Sequence, residues 1–256
     1  MSTDNSYNKK VLSIDASQML PGVSIDCVIF GFHEGVLKIL LNKFDTHNQW
    51  MLPGGFMLKS ENSDQATFRI LKTRTGLENI YIRQFHLFSD VNRVDIDENR
   101  KLANRLWPES GHNNWMLQRF VTLGYLALVK YQEVFIPKLV GEQLQWHEVN
   151  KLPALYIDHQ NIIQTALEYI RSVIPIFPVA YSLLPEQFVM TDLRKIFETF
   201  LNTTFDRRNF QRKILAEQYV IPVEKTDGEE PKNTYNAPTL YTFNTNKADI
   251  FARKPF

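Results

Sequence analysis

The order of apolar and polar positions divides the chain into a strand-rich N-terminal part and a smaller C-terminal part with helical spacing. Two apolar runs, 25–30 and 36–41, flank the glycine-bounded turn 31–35 and predict a β-hairpin. The run 121–129 is almost wholly apolar, which predicts a central strand. Between 162 and 174 apolar positions recur at helical spacing, so we expect a helix there.

A strand-loop-helix unit is predicted after the hairpin. The segment 50–56 reads as a short strand interrupted by a proline and two glycines. Ser63 is expected to cap the helix that follows, because a hydroxyl accepts N–H groups of the first turn. Gly76 is expected to end this helix, since glycine adopts the left-handed conformation of a C-cap without strain.

A long polar stretch, about 91–119, separates this unit from the strand 121–129. Such lengths are unusual for a connection inside a compact domain, and long connections are mostly functional or disordered. We interpret the stretch as a mobile insertion; a lid over a site is the alternative.

The C-terminal part follows a proline-rich linker and predicts two helices and a β-hairpin. The first helix is expected to begin at the cap Thr191, and the second at the cap Asp206, with Phe210 and Ile214 on its buried side. The segments 219–224 and 239–243 read as strands. This order is the layout of a winged helix-turn-helix, whose second helix enters the major groove of DNA.

Composition narrows the classes of protein that fit. The chain has 256 residues, a net charge of +1 and one cysteine, so internal disulfides are excluded and no bulk field attracts nucleic acid or membrane. Residues 1–20 are expected to be a flexible lead without the features of a signal peptide. The apolar stretch 173–185 is too short to cross a bilayer. We therefore expect a cytoplasmic protein without a membrane partner, and we assign no metal to the six histidines.

Five positions of the strand-loop-helix unit have the spacing of the Nudix box, G-x5-E-x7-R-E-U-x-E-E-x-G-U, in which U is a bulky aliphatic residue. They are Gly55, Glu61, Arg69, Gly76 and Leu77. The preceding segment 50–55 is also usual in Nudix domains, and the resemblance covers roughly 22–174. It implies an α/β/α sandwich with a mixed sheet, in a chain of the α+β class.

The box has lost most of the carboxylates on which Nudix chemistry depends. Ile70, Thr73 and Arg74 stand where the family has glutamates that hold divalent metal. We therefore predict no catalytic residues, no metal and no cofactor. The alternative is a hydrolase of a nucleoside-diphosphate-linked substrate such as ADP-ribose, which would recruit carboxylates from the stretch 95–98.

The second predicted helix of the C-terminal part carries a basic front that suits DNA. Its candidate DNA-binding residues are Arg207, Arg208, Asn209, Gln211 and Arg212. Lys225 and Lys232 are candidates for backbone contacts from the wing, whose tip is acidic at 227–230. A solvated helix face and a surface for an acidic protein partner are the alternatives.

The combination of a glutamate-poor Nudix box with the runs 183–188, 206–210 and 240–243 resembles the Nudix-related transcriptional regulators. The run 25–32 resembles their sugar-responsive, arabinose-regulator-like branch. The resemblance implies a non-catalytic Nudix domain that senses a pentose, another sugar or an ADP-ribose-like compound. It also implies a winged helix that binds operator DNA as a homodimer.

These interpretations fix the expected organisation and effector site. We expect the effector-binding domain at 20–174 and the winged helix at 178–256. The candidate effector-binding residues are Trp50, for stacking, Glu61, and the two arginines that flank the insertion, Arg93 and Arg119.

Overall fold

The structure is a computed structural model, and it describes residues 16–45, 47–78, 80–93, 95–106, 117–131, 141–173, 182–223 and 238–244. The strands of the N-terminal part are β1 (Met19–His33), β2 (Val36–Phe44), β3 (Gly54–Leu58), β4 (Tyr81–Phe88), β5 (Val121–Val129) and β6 (Glu142–Glu148). Its α-helices are α1 (Ser63–Thr75), α2 (Ile96–Leu106) and α3 (His159–Val173).

These strands form one mixed sheet with the order β4-β5-β1-β2-β6, and β3 pairs with β1. The long strand β1 is its centre, because it pairs in parallel with β5 and antiparallel with both β2 and β3. Phe30 lies opposite Ile39 of β2, whereas Asp26 lies opposite Gly54 of β3. The predicted hairpin and the internal position of the strand 121–129 are confirmed.

Both faces of the sheet are covered, because side chains alternate along β1. Ile25, Cys27 and Ile29 pack into one cluster with α1, whereas Val28 and Phe30 pack into a second cluster with α3. All five side chains are fully buried. Alternate residues of one strand therefore serve two separate apolar layers, which is the packing of an α/β/α sandwich.

One local prediction in this part is wrong. The cap of α1 is Asn62, whose side chain forms a reciprocal capping box with Gln65, and Ser63 is already the first helical residue. The stretch 91–119 is not wholly irregular, since α2 occupies part of it. The C-cap at Gly76 is confirmed, with a φ of 71°.

The C-terminal part has the predicted order of a helix, a turn, a second helix and a hairpin. Its elements are β7 (Phe188–Val189), α4 (Met190–Leu201), α5 (Arg207–Ala216), β8 (Val220–Pro222) and β9 (Leu240–Phe243). The strands form a small sheet with the order β7-β9-β8. Asp206 caps α5 as predicted, but α4 begins at Met190, so Thr191 lies within its first turn and is not its cap.

The two parts share one hydrophobic core. Buried residues of β1, α3, α4 and α5 belong to a single cluster, and the rings of Phe30 and Phe200 meet edge to face with centroids 6.3 Å apart. Arg171 in the last turn of α3 donates a hydrogen bond to the Phe200 carbonyl at 2.7 Å. The predicted boundary falls in 174–181, which lies outside the described residues. Among the helices described, none has the length and apolar character needed to cross a bilayer.

Candidate functional site

A cleft of about 140 Å³ opens beside β1, β3 and β5, next to the first residue of α3. Its ionisable lining residues include Asp26, Arg93, Asp158 and His159. Arg93 donates to Asp158 through two nitrogens, Nε to Oδ2 at 2.9 Å and Nη2 to Oδ1 at 3.1 Å. This bidentate pair is largely buried, since the Arg93 side chain is 7% exposed and that of Asp158 is 18% exposed. It therefore fixes one wall of the cleft.

Asp26 and His159 are buried polar groups whose protonation is shifted by their surroundings. Burial raises the pKa of Asp26 to about 7, although Arg93 lowers it. Burial lowers the pKa of His159 to about 4. His159 Nδ1 accepts a hydrogen bond from the Leu52 N–H at 2.8 Å, so the neutral ring carries its proton on Nε2. Nε2 lies 3.9 Å from Asp26 Oδ1, and this contact is not an ion pair near neutral pH because His159 is uncharged.

The apolar part of the cleft lining is mainly aromatic. Phe56 and Phe120 line it, with ring centroids 5.4 Å apart. Ile157 also lines it, at a φ of 44° that a β-branched residue rarely adopts. Backbone strain of this kind clusters at ligand sites. An apolar lining that includes a few fixed polar groups is the usual construction of a small-molecule site.

Gly54, the first residue of β3, lies close against β1 beside the cleft. A Cβ atom at this position would clash with Asp26 Oδ1 and would lie 2.8 Å from the Ile25 carbonyl oxygen. A side chain at Gly54 would therefore displace the buried carboxylate. This contact explains the first glycine of the Gly-Gly pair in the strand-loop-helix unit.

The surviving residues of the Nudix box hold the loop to α1. Arg69 donates to both oxygens of Glu61 and to the Phe56 carbonyl at 2.8 Å, and the Leu58 N–H donates to Glu61 at 2.7 Å. Burial acts to raise the pKa of Glu61, but these hydrogen bonds outweigh it and hold the pKa below its ordinary value. Glu61 is therefore engaged as a structural anion.

The remaining box positions do not fit a divalent-metal site. Ile70 is 2% exposed and packs in the core against Gly55, whereas Thr73 is exposed. Arg74 donates to the buried Glu142 at 2.8 Å and ties α1 to β6. Magnesium requires oxygen ligands in octahedral arrangement, which these side chains do not supply. Within the part of the chain that the structure describes, no cluster of three or more His, Cys, Asp or Glu side chains is arranged to hold a metal ion.

The second candidate surface is the exposed side of α5. Arg207, Arg208, Asn209 and Arg212 are all exposed, and Phe210 on the opposite side is buried. Arg212 donates to the Asn209 side chain at 3.1 Å, while the Asn209 N–H donates to the cap Asp206 at 2.9 Å. The front of the helix is thus cationic and open to solvent.

The C-terminal part matches a known family. Residues 180–243 match the NrtR DNA-binding winged helix domain. A relative from Acinetobacter baylyi, an ADPR-responsive transcriptional repressor named NtrR, is 25% identical over 234 residues, which cover 88% of this chain and 85% of the relative.

Two solved structures share the fold over nearly the whole chain. Shewanella oneidensis NrtR, crystallised with a 27mer DNA, has a TM-score of 0.65 at 23% identity and covers 89% of this chain and 95% of its own. A MutT/nudix family protein from Enterococcus faecalis has a TM-score of 0.62 at 22% identity, with coverage of 95% and 100%. The chain therefore resembles NrtR: its C-terminal part matches the NrtR winged helix domain, and the chain shares the fold of NrtR over nearly its whole length. The predicted α+β fold is thereby confirmed.

Of the four predicted effector residues of this NrtR-like chain, only Arg93 lines the cleft. Trp50 packs edge to face on His147, 4.4 Å between centroids, with Lys43 Nζ 5.2 Å above its ring. Glu61 is held by Arg69, and Arg119 is exposed and donates to the Ser89 carbonyl at 2.6 Å. Trp50, Glu61 and Arg119 therefore lie outside the lining, because their side chains are committed to contacts elsewhere.

The predicted DNA-binding residues fall into three groups in the NrtR-like winged helix. Arg207, Arg208, Asn209 and Arg212 are brought together on one exposed side. Gln211 is half-buried, and its Nε2 donates to the Tyr241 hydroxyl at 2.9 Å, so it does not point freely outward as the helical spacing suggested. Lys225, Lys232 and the acidic wing tip lie outside the described residues.

Sequence reasoning missed most of the cleft. Asp26, Asp158 and His159 come from segments more than a hundred residues apart, and Asn99 reaches the site from the stretch assigned as an insertion, where it accepts from the Tyr156 hydroxyl at 2.6 Å. One signal was available for Asp26, since a lone carboxylate inside an apolar strand is rarely buried without a function or a partner.

Proposed function

We propose that this protein is an effector-responsive transcriptional regulator, in which the winged helix binds operator DNA and the Nudix-related domain binds a small molecule without hydrolysing it. The observation that carries the proposal is the open cationic front of α5 in a domain that matches the NrtR DNA-binding winged helix. The buried cleft in the other domain supplies a separate place for the effector.

The DNA contacts follow from the exposure of the side chains on α5. Arginine grips guanine through two hydrogen bonds in the major groove, and asparagine can grip adenine in the same way. Arg208 and Arg212 project from successive turns of the exposed side and are therefore the base-reading residues, with Arg207 and Asn209 beside them. Lys225 and Lys232 are assigned to backbone phosphates from the wing, as the sequence predicts.

The effector is a sugar or nucleotide sugar, and ADP-ribose is the first candidate because the Acinetobacter baylyi relative responds to it. Phe56 and Phe120 offer a face on which a ring can stack, and Asp26 offers buried oxygens for hydroxyl donors. A free pentose, as the arabinose-regulator-like resemblance implies, is the second candidate.

The link between effector and DNA is a shift between arrangements of a homodimer. An effector that binds one arrangement more tightly raises the population of that arrangement, and DNA is favoured by one spacing of the two winged helices. Half-sites about one helical turn apart, or a multiple, are then expected for a twofold dimer.

Fluorescence anisotropy tests the DNA-binding half of this proposal. A duplex enriched by the wild-type protein from a random-sequence pool serves as the probe. Replacing Arg208 and Arg212 together by alanine should abolish specific binding, because each bidentate contact contributes about 1–3 kcal/mol. The double variant Arg83→Ala/Arg100→Ala removes two exposed arginine charges outside the winged helix and is the control. Unchanged affinity in the double variant would contradict the assignment.

The effector is identified by thermal shift with ADP-ribose, arabinose and glucose, followed by anisotropy in the presence of the stabilising compound. A ligand that binds the folded state raises the melting temperature by mass action. We expect ADP-ribose or a pentose to raise it and to change DNA affinity. A shift without any change in DNA affinity would contradict an effector role.

The absence of hydrolysis is tested separately. The protein is incubated with magnesium and ADP-ribose, and the products are separated by chromatography. We expect no turnover, because the box positions hold an aliphatic side chain, a hydroxyl and an arginine that is paired with Glu142. Robust turnover that Glu61→Gln abolishes would overturn this part of the proposal and leave the DNA-binding part standing.

A further inference from the structure

A second, smaller cleft lies in the winged helix, where the starts of α4 and α5 meet β9. It encloses about 130 Å³, and its polar lining consists of Thr191, Arg194, Arg207, Gln211, Thr239 and Tyr241. Among the residues that the structure describes, no carboxylate belongs to this lining. Because Arg207 also belongs to the exposed front of α5, the cleft lies at the margin of the proposed DNA-binding surface.

Two arginines supply hydrogen-bond donors to this cleft. Arg194 is held in place, since its Nη1 donates to Glu198 at 3.0 Å and to the Phe205 carbonyl at 2.9 Å. Its Nε is buried and has no hydrogen-bond partner among the residues that the structure describes. Glu198 offsets the charge of Arg194, so the exposed Arg207 carries the positive charge of the cleft. Because Nε has almost no accessible surface, a ligand in the cleft can meet only the rest of the Arg194 guanidinium group.

The start of α4 also favours an anion in the cleft. Its N-cap, Val189, has no side chain that can accept hydrogen bonds, in contrast to Asn62 at α1 and Asp206 at α5. Val189 and the first two helical residues line the cleft. The positive end of the helix dipole therefore faces the cleft without a capping oxygen, which favours an anion. The first turn of α4 also holds one carboxylate, Asp192, which offsets part of this effect but does not belong to the lining of the cleft.

Gln211 belongs to the wall of this cleft and is not free to read a base. The side chain of Gln211 is fixed by its hydrogen bond to the Tyr241 hydroxyl, which joins α5 to β9 across the cleft. This hydrogen bond thus holds β9 against α5. The free donors that remain belong to the two arginines and to Thr191, which is exposed.

We propose that this cleft seats one backbone phosphate of the bound DNA, with Arg207, Arg194 and Thr191 as its donors. The inference rests on the proposed DNA-binding function and adds a site to it. A phosphodiester presents acceptor oxygens and a negative charge, which match a lining of donors without carboxylates. Contacts of this kind set the register of a protein on the duplex and carry no sequence information.

Thr191→Glu tests the site, because it places a carboxylate in the lining. Thr191 is the second residue of α4, where a negative charge favours the helix, so the melting temperature should not fall. Gln160→Glu is the matched control, since Gln160 is exposed and is the second residue of α3. Binding is measured by anisotropy from about 0.05 to 1 M salt, on the selected duplex and on a scrambled duplex of equal length.

The expected result is a loss of affinity that is equal on both duplexes. One lost phosphate contact lowers the salt slope by about 0.9, which corresponds to about an eightfold loss at ~0.1 M if the curves converge near 1 M. Gln160→Glu should behave as the wild type. An unchanged slope and affinity in Thr191→Glu would overturn this site while leaving the DNA-binding proposal intact. A wild-type protein that binds neither duplex would overturn the proposed function itself.

Discussion

The charged side chains of the cleft beside β1 are largely buried, whereas those of α5 are exposed to solvent. Arg93 and Asp158 neutralise each other inside the protein, and Asp26 and His159 beside them have shifted pKa values because they are buried. On α5, Arg208 and Arg212 are exposed to solvent. Buried charges contribute to the free energy of unfolding, whereas exposed ones contribute little until a partner arrives. Substitutions in the cleft should therefore change stability, and substitutions on α5 should change binding alone.

The largest effect is expected from Arg93→Ala. This substitution leaves the Asp158 carboxylate without its partner in a mostly buried position, which should lower the free energy of unfolding by about 3–5 kcal/mol. Arg100→Ala is the control, since Arg100 pairs with Asp97 at the surface, with side chains 53% and 77% exposed, and should cost no more than about 0.5 kcal/mol.

Urea denaturation measures both variants, and the double variant Arg93→Ala/Asp158→Ala sharpens the result. Removing both partners should recover part of the loss, because the uncompensated carboxylate disappears. Equal stability of Arg93→Ala and Arg100→Ala would show that the cleft pair behaves as a surface pair, and the contrast with α5 would fail.

The contrast between the two regions also explains what the sequence could predict. The basic front of α5 depends on spacing within ten residues, so helical periodicity places Arg208, Arg212 and the buried Phe210 correctly. The hydrogen bond that fixes the Gln211 side chain could not be predicted in this way, because its partner Tyr241 lies 30 residues away. The hairpin, the strand 121–129 and the C-cap Gly76 likewise follow from local pattern.

The cleft depends on tertiary contacts, which local pattern does not encode. Arg93 was found because it flanks a conspicuous stretch, but its partner Asp158 is 65 positions away. Trp50 and Glu61 have the chemistry of ligand-binding residues, and only their neighbours His147 and Arg69 show that they are already engaged. The strands β4 and β6 were also missed, because both are amphipathic and partly exposed.

The next prediction concerns the pH dependence of stability, to which Asp26 and His159 contribute with opposite signs. The pKa of Asp26 rises from 3.8 in the unfolded chain to about 7, so the folded state binds more protons between these values and stability falls as pH rises. The pKa of His159 falls from 6.5 to about 4, so the unfolded state binds more protons and stability rises over nearly the same range. The wild type should therefore show little net dependence from this pair.

Single substitutions separate the two contributions. In Asp26→Asn, stability relative to the wild type should rise by about 3 kcal/mol from pH 4 to 6.5, because the opposing carboxyl is gone. In His159→Gln, which keeps an acceptor for the Leu52 N–H, it should fall as pH increases from 4 to 7. Urea denaturation at several pH values gives both difference curves. Parallel curves for all three proteins would show that neither group titrates as its burial requires.

The smallest effect is expected where the two regions meet. Helix α3 begins at His159 in the cleft and extends about 20 Å to Arg171. Arg171 donates a hydrogen bond to the Phe200 carbonyl near the end of α4. The turn that leads to α5 follows directly. If α3 carries the effector signal, Arg171→Ala should reduce the ratio of DNA affinities measured with and without ADP-ribose, or the pentose that binds, towards one. The loss in stability should be only about 1 kcal/mol, the usual contribution of one hydrogen bond. Calorimetry should show unchanged effector affinity, and Arg83→Ala should keep the wild-type ratio. A full ratio in Arg171→Ala would mean that the cleft and the recognition helix communicate through contacts other than this one, because the hydrogen bond would then join the two regions without coupling them.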